Sequence, residues 1–351
     1  MRLSHLRQRL RDLGAAPCHE GRVLRAWAQG RSLDNRHQRA EDFLPKTLRA
    51  AVPGLFAELD AQARVHAEHA GEDGSARLLV ALADGQTVES VLLPRDGVCV
   101  STQVGCAVGC VFCMTGRAGL LRQLSGTEIV AQVVLARRRR PVKKVVFMGM
   151  GEPAHNLDNV LEAIGFLGVE GGIGHKNLVF SSVGDRRVFE RLPQSAVRPA
   201  LALSLHTTDA ALRRRLLPRA PDIAPDELVE LGELYARRTG YPIQYQWTLL
   251  EGINDGEEEL NGIARLLAGK YAVMNLIPYN ATEADAFRRP SWERAAEMAR
   301  RLHQRGVLAK LRHSAGQDVE GGCGQLRARA LGRTAAGPTR ISLFEQQGTR
   351  P

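Results

Sequence analysis

Aromatic side chains are scarce: Trp, Tyr and Phe make up 5% of the 351 residues. An extended single-strand platform stacks successive bases on such rings, so that mode of nucleic-acid binding is not expected. Long apolar runs are missing as well. Nothing approaches the roughly 20 consecutive apolar residues that cross a bilayer, and no membrane is expected as a partner. Residues 1–13 are charged and amphipathic, without the apolar stretch of a secretory signal. Cysteine is sparse too, six residues in all, which is no disulfide framework for a chain of this length. A cytoplasmic monomer is the expectation.

Positive charge is what the chain has in excess. Lys and Arg number 48 against 38 Asp and Glu, a net charge of +10 and a pI near 9.7. Many soluble proteins are mildly basic, but a polyanionic partner such as RNA would also account for the surplus. Two arginine runs stand out, at residues 137–140 and 213–215. Each reads either as cations favoured at a helix end or on a solvated face, or as phosphate contacts.

Hydropathy divides the chain. Residues 1–62 read as a small helical module: Leu3, Leu6, Leu10 and Leu13 recur at helical spacing, and Gly14 follows as a stop. Residues 63–96 change period. Strands at 77–82 and 87–93 flank Asp84-Gly85 and predict a β-hairpin extension. From 97 to 331 strands and helices alternate. Strands are predicted near 97–102, 144–149, 177–182, 199–205, 243–249, 272–277 and 308–313. Helices fill the gaps near 126–138, 156–167, 185–192, 209–217, 225–238, 256–268 and 290–305. Ser125 and Glu128 form a capping box ahead of Ile129. Repeated β-α units need right-handed crossovers and a parallel sheet. The predicted fold class is therefore α/β, a partial (β/α)6-type barrel with its chemistry at the C-terminal strand ends. Residues 332–351 lack periodicity and read as a flexible tail.

Four of the six cysteines fall within residues 99–113, CVSTQVGCAVGCVFC. Cys106, Cys110 and Cys113 form C-x3-C-x2-C just after the first predicted barrel strand, and Cys99 stands seven residues upstream. Structural zinc takes four protein ligands, commonly as two pairs; here the fourth would have to come from far away in sequence. A [4Fe–4S] cluster prefers thiolate. Three thiolates would hold three irons and leave one open to a substrate or cofactor. Cys323 lies among Gly321, Gly322 and Gly324, a loop with freedom to move. Cys18 belongs to no motif of this kind and reads as an incidental thiol.

The triplet's spacing and position resemble those of radical SAM enzymes. Val145-Val-Phe-Met-Gly-Met-Gly-Glu152 fits the same superfamily, as a strand running into a Gly-rich turn closed by a carboxylate that can bind an ammonium. The likeness narrows over several motifs. Cys99-Val-Ser-Thr-Gln-Val-Gly-Cys106, Phe147-Met-Gly-Met-Gly-Glu-Pro153, Ser204-Leu-His206, Gly252-Ile-Asn-Asp255, Asn275-Leu-Ile-Pro-Tyr-Asn280 and Gly322-Cys323-Gly-Gln-Leu326 resemble the RlmN/Cfr family of radical SAM RNA methyltransferases, nearer to RlmN. Similar stretches run from about residue 17 to about residue 326.

That resemblance implies an enzyme using S-adenosylmethionine (SAM) and one [4Fe–4S] cluster per chain, held by Cys106, Cys110 and Cys113. It implies methylation of an adenine carbon, C2 rather than C8, in structured RNA: 23S rRNA, with tRNA as a second target. By position Cys323 matches the thiol that is methylated first and then adds to the base through its S-methylene carbon. Cys99 matches the thiol that takes a proton and closes a transient disulfide. An external one-electron donor and a disulfide reductant are implied as partners. Gly151, Glu152, Ser181, Ser204, Leu205, His206 and Asn280 match SAM contacts. Glu89 matches a carboxylate proposed as proton acceptor; its other reading is a solvated strand residue. The chain departs from the family at Ser181-Ser-Val-Gly184, at Leu120-Leu121 and at Pro218-Arg-Ala-Pro-Asp222. Those sites bear on the RNA target more than on the chemistry. Two other readings remain: a radical SAM enzyme of another reaction type, and a non-enzymatic zinc-containing RNA-binding protein.

Overall fold

A computed structural model describes residues 1–34, 39–282 and 287–329. The tail expected at 332–351 lies outside the described residues. Apolar spacing sets the first helices. Leu3, Leu6 and Leu10 stripe one face of α1 (Leu3–Asp12) and are buried. α2 (Pro17–Ala28) begins on Pro17, whose missing N–H is one that a first turn leaves unpaired anyway. It buries Val23, Leu24 and Trp27, and α3 (Lys46–Ala61) buries Leu48, Val52, Leu55 and Leu59. These residues share one continuous core with the strands. Trp27, for example, meets the Phe166 ring at a centroid distance of 5.5 Å.

Three antiparallel strands follow: β1 (Ala63–Ala70), β2 (Ala76–Leu82) and β3 (Thr87–Leu93). The sequence predicted only the last two. β1 buries only Ala63 and, Val65 apart, is built from Ala, Arg, His and Glu, residues poor in strand preference. The extension is also continuous with the barrel, because β3 pairs with β4 (Gly97–Cys99). A two-stranded ribbon of β5 (Gln103–Gly105) and β6 (Leu120–Gln123) stands apart from the main sheet.

The alternation then runs α4 (Gly126–Arg137), β7 (Lys144–Phe147), α5 (Leu157–Val169), β8 (Leu178–Ser182), α6 (Arg186–Arg191), β9 (Ala200–Ser204), α7 (Ala210–Leu216), α8 (Pro225–Thr239), β10 (Ile243–Leu249), α9 (Glu257–Leu267), β11 (Ala272–Pro278), α10 (Trp292–Gln304) and β12 (Ala309–Leu311). The capping box forms: Glu128 N donates to Ser125 Oγ, and Ser125 N to Glu128 Oε2 at 2.8 Å. The main sheet has ten strands in the order β1-β2-β3-β4-β7-β8-β9-β10-β11-β12. From β4 onward every pairing is parallel. This is the expected α/β architecture.

The sheet's two faces differ in chemistry. In β10, Ile243, Tyr245, Trp247 and Leu249 are buried, while Gln244, Gln246 and Thr248 alternate with them and keep partial exposure. Register sets Gln246 beside Ser204 and Asn275. Polar residues thus line the concave side and large apolar ones pack under the helices.

The arginines at 137–140 sit at and just beyond the C-terminal end of α4, one of the two places expected for them. Arg137 donates to Ala28 O and Gly171 O, both at 2.7 Å. Arg138 pairs with Asp60 at 2.7 Å and Arg139 with Glu68 at 2.8 Å. Arg140 donates to Gly74 O and Leu93 O, each at 2.8 Å. Arg138 and Arg139 are exposed at the end of α4 while Arg137 and Arg140 are half-buried, and together the four fasten the N-terminal helices and the strand extension to α4. No helix among the described residues is long and apolar enough to cross a membrane.

Because α1 shares the barrel's core, Leu6→Ala is expected to cost about 2–5 kcal/mol. It should shift the same calorimetric transition as Leu201→Ala. An early transition moved by Leu6→Ala alone would contradict a shared core.

Candidate active site

Antiparallel register sets Arg77 opposite Val91, and Val91 opposite Cys99. Glu89, two residues from Val91, falls on the same face. Residues 319–329 cross this patch. A Cβ built on Gly321 would stand 3.5 Å from Val91 Cγ1 and 3.6 Å from Arg77 Cβ. The crossing brings Cys323 to Cys99. Burial raises the Cys99 thiol far above its ordinary value, and the nearby Cys323 adds to the effect. Burial also raises Cys323; the Ser314 hydroxyl and Arg312 oppose that, and Cys113 reinforces it. Cys323 still reaches solvent although other groups crowd its sulfur.

The triplet lies just beyond β5. Gly105 takes φ 79°, and a Cβ there would fall 2.0 Å from Gly119 O, so only glycine fits. Burial pushes the Cys106 thiol up to about 11. Burial raises Cys110 as well, followed by the effects of Cys113, Cys106 and Glu152. The three thiols and Glu152 therefore share one neighbourhood. Among the described residues, no three His, Cys, Asp or Glu are gathered for a single ion. Thiolates on one zinc at about 2.3 Å would crowd to within ~4 Å of each other, whereas an iron–sulfur cubane spreads them over separate irons. The donor set fits the cluster better.

Glu152 closes the turn after β7. Its carboxylate accepts from Ala154 N and Val183 N, both at 3.0 Å. Its own N–H donates to Gln103 Oε1 at 2.7 Å. Gly151 before it has φ 102°, and a Cβ would meet the Gln103 side chain at 2.6 Å. Burial pushes Glu152 up to about 7. Ser181 and Ser204 stand at the ends of β8 and β9 with partial exposure, and Leu205 is fully buried.

His206 is buried at φ 62°, a left-handed conformation uncommon for a residue with a Cβ. Its Nδ1 accepts from Thr248 N at 2.9 Å, and burial, then Arg213, push it down to about 3. The ring is therefore neutral, with its proton on Nε2. It meets Phe112 of the cysteine loop edge-on, with centroids 4.9 Å apart. Asn254 secures this conformation by donating to His206 O at 2.7 Å and Thr248 O at 2.8 Å. That is the physical content of the Gly252-Ile-Asn-Asp255 motif.

Asn280, just past β11, donates from Nδ2 to Ser314 Oγ and to Cys323 O, both at 2.9 Å. Arg213 is buried and donates to Val183 O and to Ser204 O. It is neither a solvated residue nor a phosphate contact, unlike its exposed neighbours Arg214 and Arg215. Two buried atoms of this pair, Asn280 Oδ1 and Arg213 Nε, have no partner among the described residues. An acceptor and a donor are left over at the strand ends, as a polar cosubstrate would require.

Residues 100–266 match the radical SAM superfamily. A protein of Thiobacillus denitrificans named "Probable RNA methyltransferase" is 87% identical over 331 residues, covering 94% of this chain and 91% of its own. One of the same name from Stutzerimonas stutzeri is 72% identical over 338 residues, covering 95% and 99%. A solved radical SAM methyltransferase from Sphaerobacter thermophilus superposes with a TM-score of 0.81 at 35% identity, over 93% of this chain and 98% of that one. The chain belongs to the radical SAM methyltransferases. Enzymes of this superfamily use SAM and a [4Fe–4S] cluster, the group that the thiol set fits.

In this methyltransferase Glu89 is wholly buried, so its reading as a solvated strand residue is overturned. It accepts from Arg77 Nη1, from Arg329 Nε at 3.0 Å and from Arg327 N at 2.9 Å. Arg77 also donates to Val319 O. The carboxylate thereby ties both flanks of the Cys323 loop to β2 and β3. Sequence reasoning missed Arg77, although a cation inside an apolar strand beside a strand carrying a Glu is a pairing signal. It missed Gln132 as well, which accepts from Ser90 Oγ at 2.8 Å and Ser101 N at 2.9 Å beneath the site. Nothing local marks Arg329.

Glu89→Ala strands Arg77 as a buried unpaired cation, and a loss of about 3–5 kcal/mol is expected. The double change Glu89→Leu with Arg77→Leu should recover much of it in urea unfolding. Glu152 gives a pH signature. Its folded value of about 7 exceeds the ordinary 4.5, so the folded state holds the proton more tightly and ionisation opposes folding. The penalty grows between those two values and is constant above them. Glu152→Gln should therefore flatten the fall in stability between about pH 5 and about pH 7.5, read from urea midpoints.

Proposed function

We propose that this methyltransferase places a methyl group on an adenine carbon, C2 in the manner of RlmN, in structured RNA of the cytoplasm. 23S rRNA is the assigned substrate, with tRNA second. One observation carries the reading: Cys323 and Cys99 lie within electrostatic reach of each other, and Cys323 within reach of Cys113 in the triplet. Two spare thiols beside three ligating ones suit a methyl carrier and its resolving partner. The net charge of +10 suits an RNA substrate, and the relatives' name supports it.

Cys106, Cys110 and Cys113 would hold the cluster, and Gly151, Glu152, Ser181, Ser204, Leu205, His206 and Asn280 would hold SAM. When bound, the cluster supplies the electron that splits SAM into methionine and an adenosyl radical. Cys323 first takes a methyl group from one SAM, displacing S-adenosylhomocysteine. Its S-methyl group then gives up a hydrogen atom to the radical made from a second SAM, and the methylene carbon adds to the base. Cys99 takes the proton from the substituted carbon. The carbon–sulfur bond then breaks, the freed methylene carbon taking back a proton to become the new methyl group, and Cys99, giving up its proton, bonds to the Cys323 sulfur; the one electron left over passes to an external one-electron carrier. A transient disulfide of this kind is catalytic, and an external reductant reopens it. Glu89 is assigned to positioning. Two guanidinium groups and an amide hold its oxygens in place.

Cys323→Ala is expected to abolish methylation while leaving the cluster's absorbance intact. Cys99→Ala should leave RNA covalently attached to the protein. Mass mapping of RNA digests and of the protein reads both. Full methylation by the Cys323→Ala enzyme would end this mechanism.

A further inference from the structure

Cations in this chain are mostly answered. The four arginines at 137–140, and Arg77, Arg213 and Arg329, each donate to a carboxylate or a carbonyl. Three on the concave side of the sheet are not. Lys144 opens β7, beside Gly97, while Val146 two residues on lies beside Cys99. Alternation therefore puts Lys144 on the face that carries Cys99. Lys310 in β12 lies beside Asn275, which lies beside Gln246 of the polar face. Arg312, two residues later, follows the same face, and its hydrogen-bond partner there is the neutral Asn275 Oδ1 at 3.5 Å. No carboxylate pairs with Lys144, Lys310 or Arg312 among the described residues.

The three are also close together. After burial, the charges acting on Lys144 are Arg312 and Lys310, both of its own sign. β7 and β12 are far apart in the strand order, so the curl of the sheet brings Lys310 and Arg312 within electrostatic reach of Lys144. Arg312 acts on Cys323 as well. Cys106 and Cys110 lie elsewhere: the groups acting on them are other thiols, Glu152 and local backbone.

We propose that Lys144, Lys310 and Arg312 form a phosphodiester subsite that holds the RNA backbone beside the nucleotide presented to Cys323. The inference rests on the RNA reading above. An adenine carbon can reach a thiol in a cleft only after leaving its stack, and its flanking phosphates travel with it. Three uncompensated cations, of which Arg312 acts on the methyl-carrying thiol, meet that need. Arginine and lysine together neutralise backbone charge without reading sequence, so this subsite fixes position rather than base identity.

The test measures binding of the cluster-loaded enzyme to ribosomal RNA from cells lacking it, across a range of KCl concentrations. Each phosphate contact contributes roughly 0.7–0.9 to the slope of log affinity against log salt. Lys144→Ala with Lys310→Ala should lower that slope by about one to two, while Lys144→Arg with Lys310→Arg should retain it. Lys310 is exposed on the edge strand, so Lys310→Gln alone should fold and lower the slope by about 0.7–0.9. SAM affinity should be unchanged in all three. An unchanged slope in the alanine and glutamine variants overturns the subsite. Inorganic phosphate that competes with RNA at matched ionic strength, and does so only when Lys310 is present, would reassign the site to free phosphate. If wild-type enzyme fails to bind RNA at all, the RNA reading fails, a result distinct from an unchanged slope.

Discussion

A carboxylate with no access to water must be answered from within the protein, and Glu89 is answered from two directions. Arg77 comes from the neighbouring strand, and Arg329 from beyond the cysteine loop. Taking these charges out of water is costly, and the pairing returns the cost only if each partner stays in place. That condition defines where the loop runs. With its flanks held at Val319 and at residues 327–329, the intervening glycines can move while Cys323 remains over Cys99. The cysteine pair depends on this network more than on any contact of its own.

The same economy appears at the strand ends. Backbone N–H groups converge on Glu152, Asn254 holds a histidine in a left-handed turn, and Asn280 ties β11 to the carbonyl of Cys323. The groups that would touch SAM are thus fixed by neighbours before any ligand arrives. Such support lets polar atoms such as Asn280 Oδ1 stay unpaired in a buried place.

Much of this was legible in the sequence, for identifiable reasons. The parallel strands are short apolar runs bounded by glycine or proline, and every one of the expected barrel strands and helices is present within a few residues. Local motifs carried the cysteine loop, the Glu152 turn and Ser204-Leu-His206. The rest depended on partners distant in the chain. β1 is an edge strand with Val65 as its one strand-forming residue. Glu89 looked like a solvated residue because Arg329 lies 240 positions away. The arginine runs looked alike, yet Arg213 turns inward under the site while Arg138 and Arg139 reach across to Asp60 and Glu68. A linear string of charge carries no record of which carbonyl or carboxylate the fold will bring to it.

One turn of chain at the end of α4 bonds to α2, α3, β1, β3 and the segment after α5. Pieces fastened at a common point cannot pivot separately. A macromolecule touching both the N-terminal helices and the cleft would therefore be measured against a fixed gauge, and one of the wrong span could not be accommodated by bending the enzyme. Selectivity of that sort resides in length and shape, and it would survive changes to the residues that do the chemistry.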